Sequence, residues 1–349
     1  MKTQHEFIAG DSRNLKEFPN ESVSLIVTSP PYPMIEMWDE VFSCLNPETG
    51  TALSLNQGTQ AFELMHQELD KTWAESFRVL QKGGIACINI GDATRTLGGQ
   101  FQLFPNHSRI IKGCLSQGFS CLPAIIWRKE TNSPNKFMGS GMMPPGAYVT
   151  LEHEYILIFR KGNKREFKSS QEKENRRESA FFWEERNTWF SDIWLNLKGS
   201  RQKMSGINSR NRSGAFPFEL AYRLVNMFSV KRDLVLDPFA GTGTVMLAAM
   251  SSERNSKSVD IDKNLQELAR KKALSFCPEA NKYLQHRIDK HLIFVREKEE
   301  QSKPLKYYNN FHGFPVMTKQ EIELKINTLA EIKLKNENFF TVNYRPRIF

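Results

Sequence analysis

The apolar run Val23-Ser24-Leu25-Ile26-Val27 leads straight into Thr28-Ser29-Pro30-Pro31-Tyr32, and this stretch constrains the chain more than any other. The run reads as a buried strand. Two consecutive prolines can neither continue a strand ladder nor enter a helix interior, so the chain must break there. With φ already restrained, little unfolded-state entropy is lost, and a stiff loop is set at a strand's C-terminal end. Open α/β sheets place their ligand crevices at such ends. The loop offers a hydroxyl, a proline carbonyl and an aromatic ring, which suits a flat base held by its amino group. A lone Pro-Pro would be an ordinary turn.

A second stretch far downstream changes that reading: Asp237-Pro238-Phe239-Ala240-Gly241-Thr242-Gly243-Thr244, between the strand-like Leu234-Val235-Leu236 and a helical run from Thr244 to Met250. Strand, glycine turn and helix is how chains hold nucleotides, because glycine admits close backbone approach and the helix start offers free N–H groups. Met246 stands where a dinucleotide fingerprint has its third glycine, and no GK[ST] follows, so neither NAD nor a P-loop nucleotide fits. Asp260 ends the next strand, where a carboxylate can bind ribose hydroxyls. Together these suggest an adenosine-containing cofactor without a pyrophosphate.

Length and charge agree with that frame. A chain of 349 residues can bury a full core, and its net charge of +9 favours a polyanionic partner. Five cysteines without CxxC spacing read as reduced core thiols, neither a disulfide framework nor a zinc site. No run approaches a membrane span and the N-terminus lacks a signal-peptide core, so a cytoplasmic protein is expected.

Along the chain, helices are expected over 35–45, 61–80 (ended by Lys82-Gly83-Gly84), 108–117, 218–228 and 265–276. Further strands are expected at 7–9, 85–90, 122–127, 155–159 and 257–260, with a long loop over 129–147. Residues 163–212 are strongly charged, with interleaved aromatics. Their end carries Lys198, Arg201, Lys203, Arg210 and Arg212 without an acid, a candidate nucleic-acid contact. In the tail, Thr318-Lys319-Gln320-Glu321 fits a capping box before a helix.

The two loops and their flanks resemble the β class of S-adenosylmethionine-dependent DNA amino-methyltransferases. Asp-Pro-Phe-Ala-Gly-Thr-Gly-Thr is similar to that family's cofactor loop and Thr-Ser-Pro-Pro-Tyr to its catalytic loop, in the permuted order with the catalytic loop first. Gly10-Asp11-Ser12, His153-Glu154-Tyr155-Ile156-Leu157-Ile158-Phe159 and Phe216-Pro217-Phe218-Glu219-Leu220 match in the same order, over residues 5–275. Ser258-Val259-Asp260 departs from it, since the family more often has Gly and Glu there.

The resemblance implies an α/β, doubly wound, mostly parallel sheet of the Rossmann-like methyltransferase type, with an inserted target-recognition region and a C-terminal extension. The expected division is a catalytic half over 1–162, a target-recognition region over 163–212, a cofactor-binding half over 213–276 and an extension over 277–349. It implies catalytic roles for Ser29, Pro30, Pro31 and Tyr32. Cofactor contacts fall to Asp11 (adenine edge), Asp237, Phe239, Gly241 and Gly243 (methionine part), Asp260 (ribose), Phe216, Pro217 and Glu219 (one wall), and to Pro238 and Thr244 of the same loop.

The implied reaction is direct in-line methyl transfer to an exocyclic amine of a base flipped from double-stranded DNA. In the family, Ser-Pro-Pro-Tyr accompanies cytosine N4 methylation and Asp-Pro-Pro-Tyr adenine N6, so N4 of cytosine is expected and adenine N6 is the alternative. A non-catalytic nucleic-acid-binding module is the rival outside the class. Carbon-5 methylation would need a Pro-Cys nucleophile, and only Cys277-Pro278 occurs, in reverse order. A cognate restriction endonuclease would be a separate chain, and a homodimer stays open.

Overall fold

The computed structural model describes residues 1–129, 138–195, 197 and 216–346. One ten-stranded sheet runs through it. Its strands are β1 (Lys2–Ala9), β2 (Val23–Thr28), β3 (Leu80–Ile90), β4 (Phe119–Arg128), β5 (His153–Lys161), β6 (Ile193–Trp194), β7 (Leu234–Asp237), β8 (Asn255–Asp260), β9 (Thr328–Asn336) and β10 (Phe339–Arg345). They lie in the order β6–β4–β5–β3–β2–β7–β8–β1–β10–β9. The central five, from β3 to β1, are mutually parallel. Antiparallel pairings of β5 with β3 and β4 on one side, and of β10 with β1 and β9 on the other, make the whole a mostly parallel mixed sheet.

Every residue of β2 is buried, as expected for a strand covered on both faces. From Leu25 onward its side chains alternate between two cores, Leu25 and Val27 facing one and Ile26 the other, while Val23, before a register shift, joins Ile26's core. The first core takes α5 (Phe218–Phe228), α6 (Thr244–Ser251) and α8 (Cys277–Glu300), and the second takes α1 (Gly58–Val79) and α2 (Asn106–Ser116). Helices therefore cover both faces of the parallel centre. The register places Val235 and Leu236 of β7 beside Leu25 and Ile26 of β2. Two loops that are remote in sequence thus leave neighbouring parallel strands at the same, C-terminal, end.

Several local expectations shift. Gly83 and Gly84 do not cap α1: the helix stops at Val79, and β3 starts at once from an extended Leu80. Gly83 sits at φ +80°, where a Cβ would lie 2.6 Å from the backbone nitrogen of Arg165, so its glycine serves a close chain crossing. The capping box at Thr318 and Glu321 is present, but only a single 3₁₀ turn follows.

Three aromatics of the 163–212 stretch, Phe182, Trp189 and Trp194, serve the core, whereas Phe190 stays exposed. Beyond α3 (Ser170–Glu178), α4 (Trp183–Trp189) presents Trp189 inward, and Phe182 and Trp194 are also buried. The Phe182 ring stacks on His291 of α8 at 3.9 Å between centroids, and Arg287 of α8 forms a buried ion pair with Glu185. These rings are therefore unavailable for stacking on bases. The described part of the extension is likewise built in. Strand β10 pairs along β1, and the Tyr344 hydroxyl donates to the Met250 carbonyl at 2.7 Å.

Candidate active site

The β2 and β7 loops face one cavity of about 630 Å³, within the usual range for small-molecule sites. A buried hydrogen bond ties its two halves together. Thr28 Oγ1, at the end of β2, donates to Asp237 Oδ1, at the end of β7, at 2.7 Å. The Phe239 N–H donates to the same oxygen at 3.1 Å.

Of the residues expected here, Ser29, Pro30, Pro31, Tyr32, Asp11, Phe216, Asp237, Pro238, Phe239, Gly241, Thr244 and Asp260 line the cavity. Pro217, Glu219 and Gly243 do not. Pro217 precedes the first residue of α5, Glu219 pairs with Arg223 one turn on, and Gly243 starts α6 at φ +80°. Asp11 is engaged by Arg13, which also reaches Glu68. Burial opposes ionisation of Asp11, but the Arg13 hydrogen bonds outweigh it and hold the carboxyl below its ordinary range. Asp260 accepts from the Gly241 N–H at 2.7 Å and the Asp262 N–H at 2.9 Å, so it shapes the glycine loop. Lys198, Arg201, Lys203, Arg210 and Arg212 lie outside the described residues.

The cavity fits a cationic adenosine cofactor on two counts. Its lining includes Asp11, Glu68, Asp92, Glu154, Asp237 and Asp260, whereas Arg13 and Lys129 are its only lining arginine and lysine among the described residues. Gly241 lines it at φ +53°, and a Cβ built there meets nothing within 4 Å, so that space is open to a ligand.

Burial also pushes the Asp237 carboxyl up to about 7, although the Thr28 hydrogen bond pulls the other way. Because the folded state holds this proton more tightly than the unfolded state, the contribution of Asp237 to stability falls as pH rises from about 4 to about 7. Urea unfolding of the ligand-free protein should show it. Between pH 5 and pH 8 the wild type should lose about 2–3 kcal/mol relative to Asp237→Asn, whose amide keeps both hydrogen bonds but cannot ionise. Parallel pH profiles for the two proteins would contradict this.

Around Tyr32 the structure assembles partners from three further places in the chain. The Ser29 hydroxyl donates to the Tyr32 hydroxyl at 3.2 Å, and the Asn89 amide of β3 donates to it at 2.9 Å. Tyr32 donates in turn to Glu154 Oε2 of β5 at 3.0 Å. Glu154 also accepts from Asn89 at 2.7 Å and from Lys129 Nζ at 2.7 Å. Burial, reinforced by the charge of Glu154, raises the Tyr32 phenol well above its ordinary value, so it stays protonated. Close by, Asp92 accepts from the His107 N–H at 3.1 Å and lies 2.8 Å from His107 Nδ1. Sequence reasoning assigned no role to Asn89, Lys129, Asp92 or Glu154; only Glu154 stood inside a matched stretch.

Comparison with known proteins agrees with this geometry. A family described as DNA methylase matches residues 23–271, from the first residue of β2 into α7 (Lys263–Ser275). The type II methyltransferase M.MthZI of Methanothermobacter thermautotrophicus is 48% identical over 99% of this chain and 98% of its own length. The type II methyltransferase M.MjaI of Methanocaldococcus jannaschii is 50% identical over 78% of this chain and 92% of its own. Among solved structures, a DNA modification methylase of Thermus thermophilus, in complex with S-adenosyl-L-methionine and itself described as putative, superposes with a TM-score of 0.60 at 32% identity, covering 77% of this chain and 92% of that one. With the permuted loops meeting at one cavity and relatives matching along nearly the whole length, this chain belongs to the DNA methylase family.

Proposed function

We propose that the protein methylates the exocyclic N4 amine of cytosine in duplex DNA, with S-adenosylmethionine as donor. The observation that carries this reading is the meeting of the Ser29-Pro30-Pro31-Tyr32 loop and the glycine loop at one cavity, locked by Thr28 and Asp237. When bound, S-adenosylmethionine supplies a methyl group on positively charged sulfur. Asp237, Phe239, Gly241 and Asp260 would hold it, with Asp11 and Phe216 further along the cavity.

An amine conjugated to a ring is a poor nucleophile because its lone pair is delocalised. The Ser29 hydroxyl and the Pro30 carbonyl accept its two hydrogens and draw them from the ring plane, which localises the lone pair on nitrogen. Catalysis is then positioning and electrostatics, and no side chain becomes a nucleophile. The buried thiols agree: burial raises both Cys87 and Cys114, away from thiolate. The ring of Tyr32 faces a base that must leave the duplex stack to be reached. Serine at position 29, where adenine-directed relatives carry Asp, favours cytosine.

The run containing Lys198, Arg201, Lys203, Arg210 and Arg212 would carry phosphate contacts. Each contact neutralised to Gln should lower the log–log salt slope of DNA binding by about 0.9, and an unchanged slope would remove the run from the interface. The enzyme would act in the cytoplasm as the modification half of a restriction–modification pair, with any nuclease in a separate chain.

The test is to methylate a plasmid with labelled donor, digest it to nucleosides and identify the labelled base. N4-methylcytosine is expected. N6-methyladenine would overturn the base assignment but not the family, and absence of label in DNA would overturn the catalytic reading.

A further inference from the structure

Ser29 must accept a hydrogen from the amine, yet a hydroxyl can equally donate, and a donating Ser29 would turn its proton towards the nitrogen lone pair. Nothing within the loop itself decides which. The surrounding side chains do. Lys129 lies 2.7 Å from Glu154, and this ion pair keeps Glu154 an acceptor. The single proton of Tyr32 is therefore directed to Glu154, at 3.0 Å. The amide of Asn89 donates to both Tyr32 and Glu154, which fixes which of its ends faces them and leaves Asn89 Oδ1 turned away, buried and unpartnered among the described residues. With its own proton spent on Glu154, the Tyr32 oxygen can only accept from Ser29, and the Ser29 proton is committed at 3.2 Å. What remains on Ser29 Oγ is lone pairs.

We propose that Glu154, acting through the Tyr32 hydroxyl, is a positioning residue that makes Ser29 a dedicated hydrogen-bond acceptor for the substrate amine. The proposal rests on the reading of Ser29 as the acceptor of an amino hydrogen. It gives the hydroxyl of Tyr32 a task separate from that of its ring, which serves the base. Glu154 and Tyr32 then form one device, and disabling either end should cost the same.

Single-turnover kinetics on a duplex of established target sequence separate these roles. Tyr32→Phe keeps the ring and removes the hydroxyl, and Glu154→Gln keeps the shape and removes the obligatory acceptor. Each should slow transfer about tenfold, while donor affinity and KM for DNA stay within about twofold of wild type. The double variant should be no slower than the worse single one, because residues acting as a unit do not add. Tyr32→Phe at the wild-type rate would overturn the proposal, as would losses that multiply in the double variant. Should Glu154→Gln fail to fold, Tyr32→Phe with Glu154→Asp supplies the same pair. The wild-type product keeps the two readings apart: a labelled base other than cytosine contradicts the base assignment, and unaffected variants of an active wild type contradict only the relay.

Discussion

Gly241→Val should abolish binding of S-adenosylmethionine while leaving a folded protein. At φ +53° the backbone of Gly241 lies in the left-handed region, which costs a non-glycine residue about 1–2 kcal/mol and a β-branched one more. That strain alone would leave most of the fold intact. The larger effect is steric. A Cβ at this position meets no protein atom within 4 Å, so the new side chain enters the cavity and not the core. The backbone it would shield is also the segment held by Asp260, whose carboxylate accepts the Gly241 N–H. Calorimetric titration should therefore find affinity reduced by at least about a hundredfold, with circular dichroism close to wild type. Unchanged affinity in a folded variant would remove the glycine loop from the cofactor site. The contrast is Gly243, at φ +80°, where a Cβ would come within 3.2 Å of Ala269. A substitution there should act first through packing of α6 against α7.

How much of this was legible in the sequence follows from where each constraint resides. The two loops were readable because their chemistry is local. Pro30 and Pro31 must end a strand, and Gly241 and Gly243 must open a turn before a helix. The strands between them were readable as buried runs, and it is the parallel pairing of β2 with β7 that brings the two loops together. The partners of Tyr32 were not readable, since Asn89, Lys129 and Glu154 come from β3, the end of β4 and the start of β5. Only the antiparallel placement of β5 against both of those strands brings them together. Asp11 was legible as a carboxylate near the site, but its engagement by Arg13 was not. The tail was the least legible part. Helix α8 starts at Cys277-Pro278 with weak apolar periodicity, and β9 alternates charged and apolar residues like a solvated edge. Helix α8 is stabilised mainly by packing against elements outside its own stretch, and β9 by its hairpin with β10 and by the cover of α8. The aromatics near Trp189 suggested contact with bases because they are interleaved with charge; the structure uses Phe182 and Trp189 to seat α8.

Ser29→Ala should have the second large effect, and on a different step. The hydroxyl removed is half-buried at the cavity wall and its hydrogen bond runs to Tyr32, not to the glycine loop, so cofactor binding should persist. On the proposed mechanism, what is lost is one of two acceptors that draw the amine's hydrogens from the ring plane. Loss of a single positioned group stabilising a transition state typically costs about 10²–10³ in rate. The Tyr32 hydroxyl would still be held by Asn89 and Glu154, so the ring should keep its place. The central claim is that the Pro-Pro loop performs the transfer step while the glycine loop holds the donor. It is tested most directly by measuring, on one preparation of Ser29→Ala, the single-turnover rate of methyl transfer and the dissociation constant for S-adenosylmethionine. The account predicts a rate lowered about a hundredfold or more with donor affinity within about twofold of wild type. A wild-type rate, or a loss of donor affinity large enough to explain the slower transfer, would contradict it.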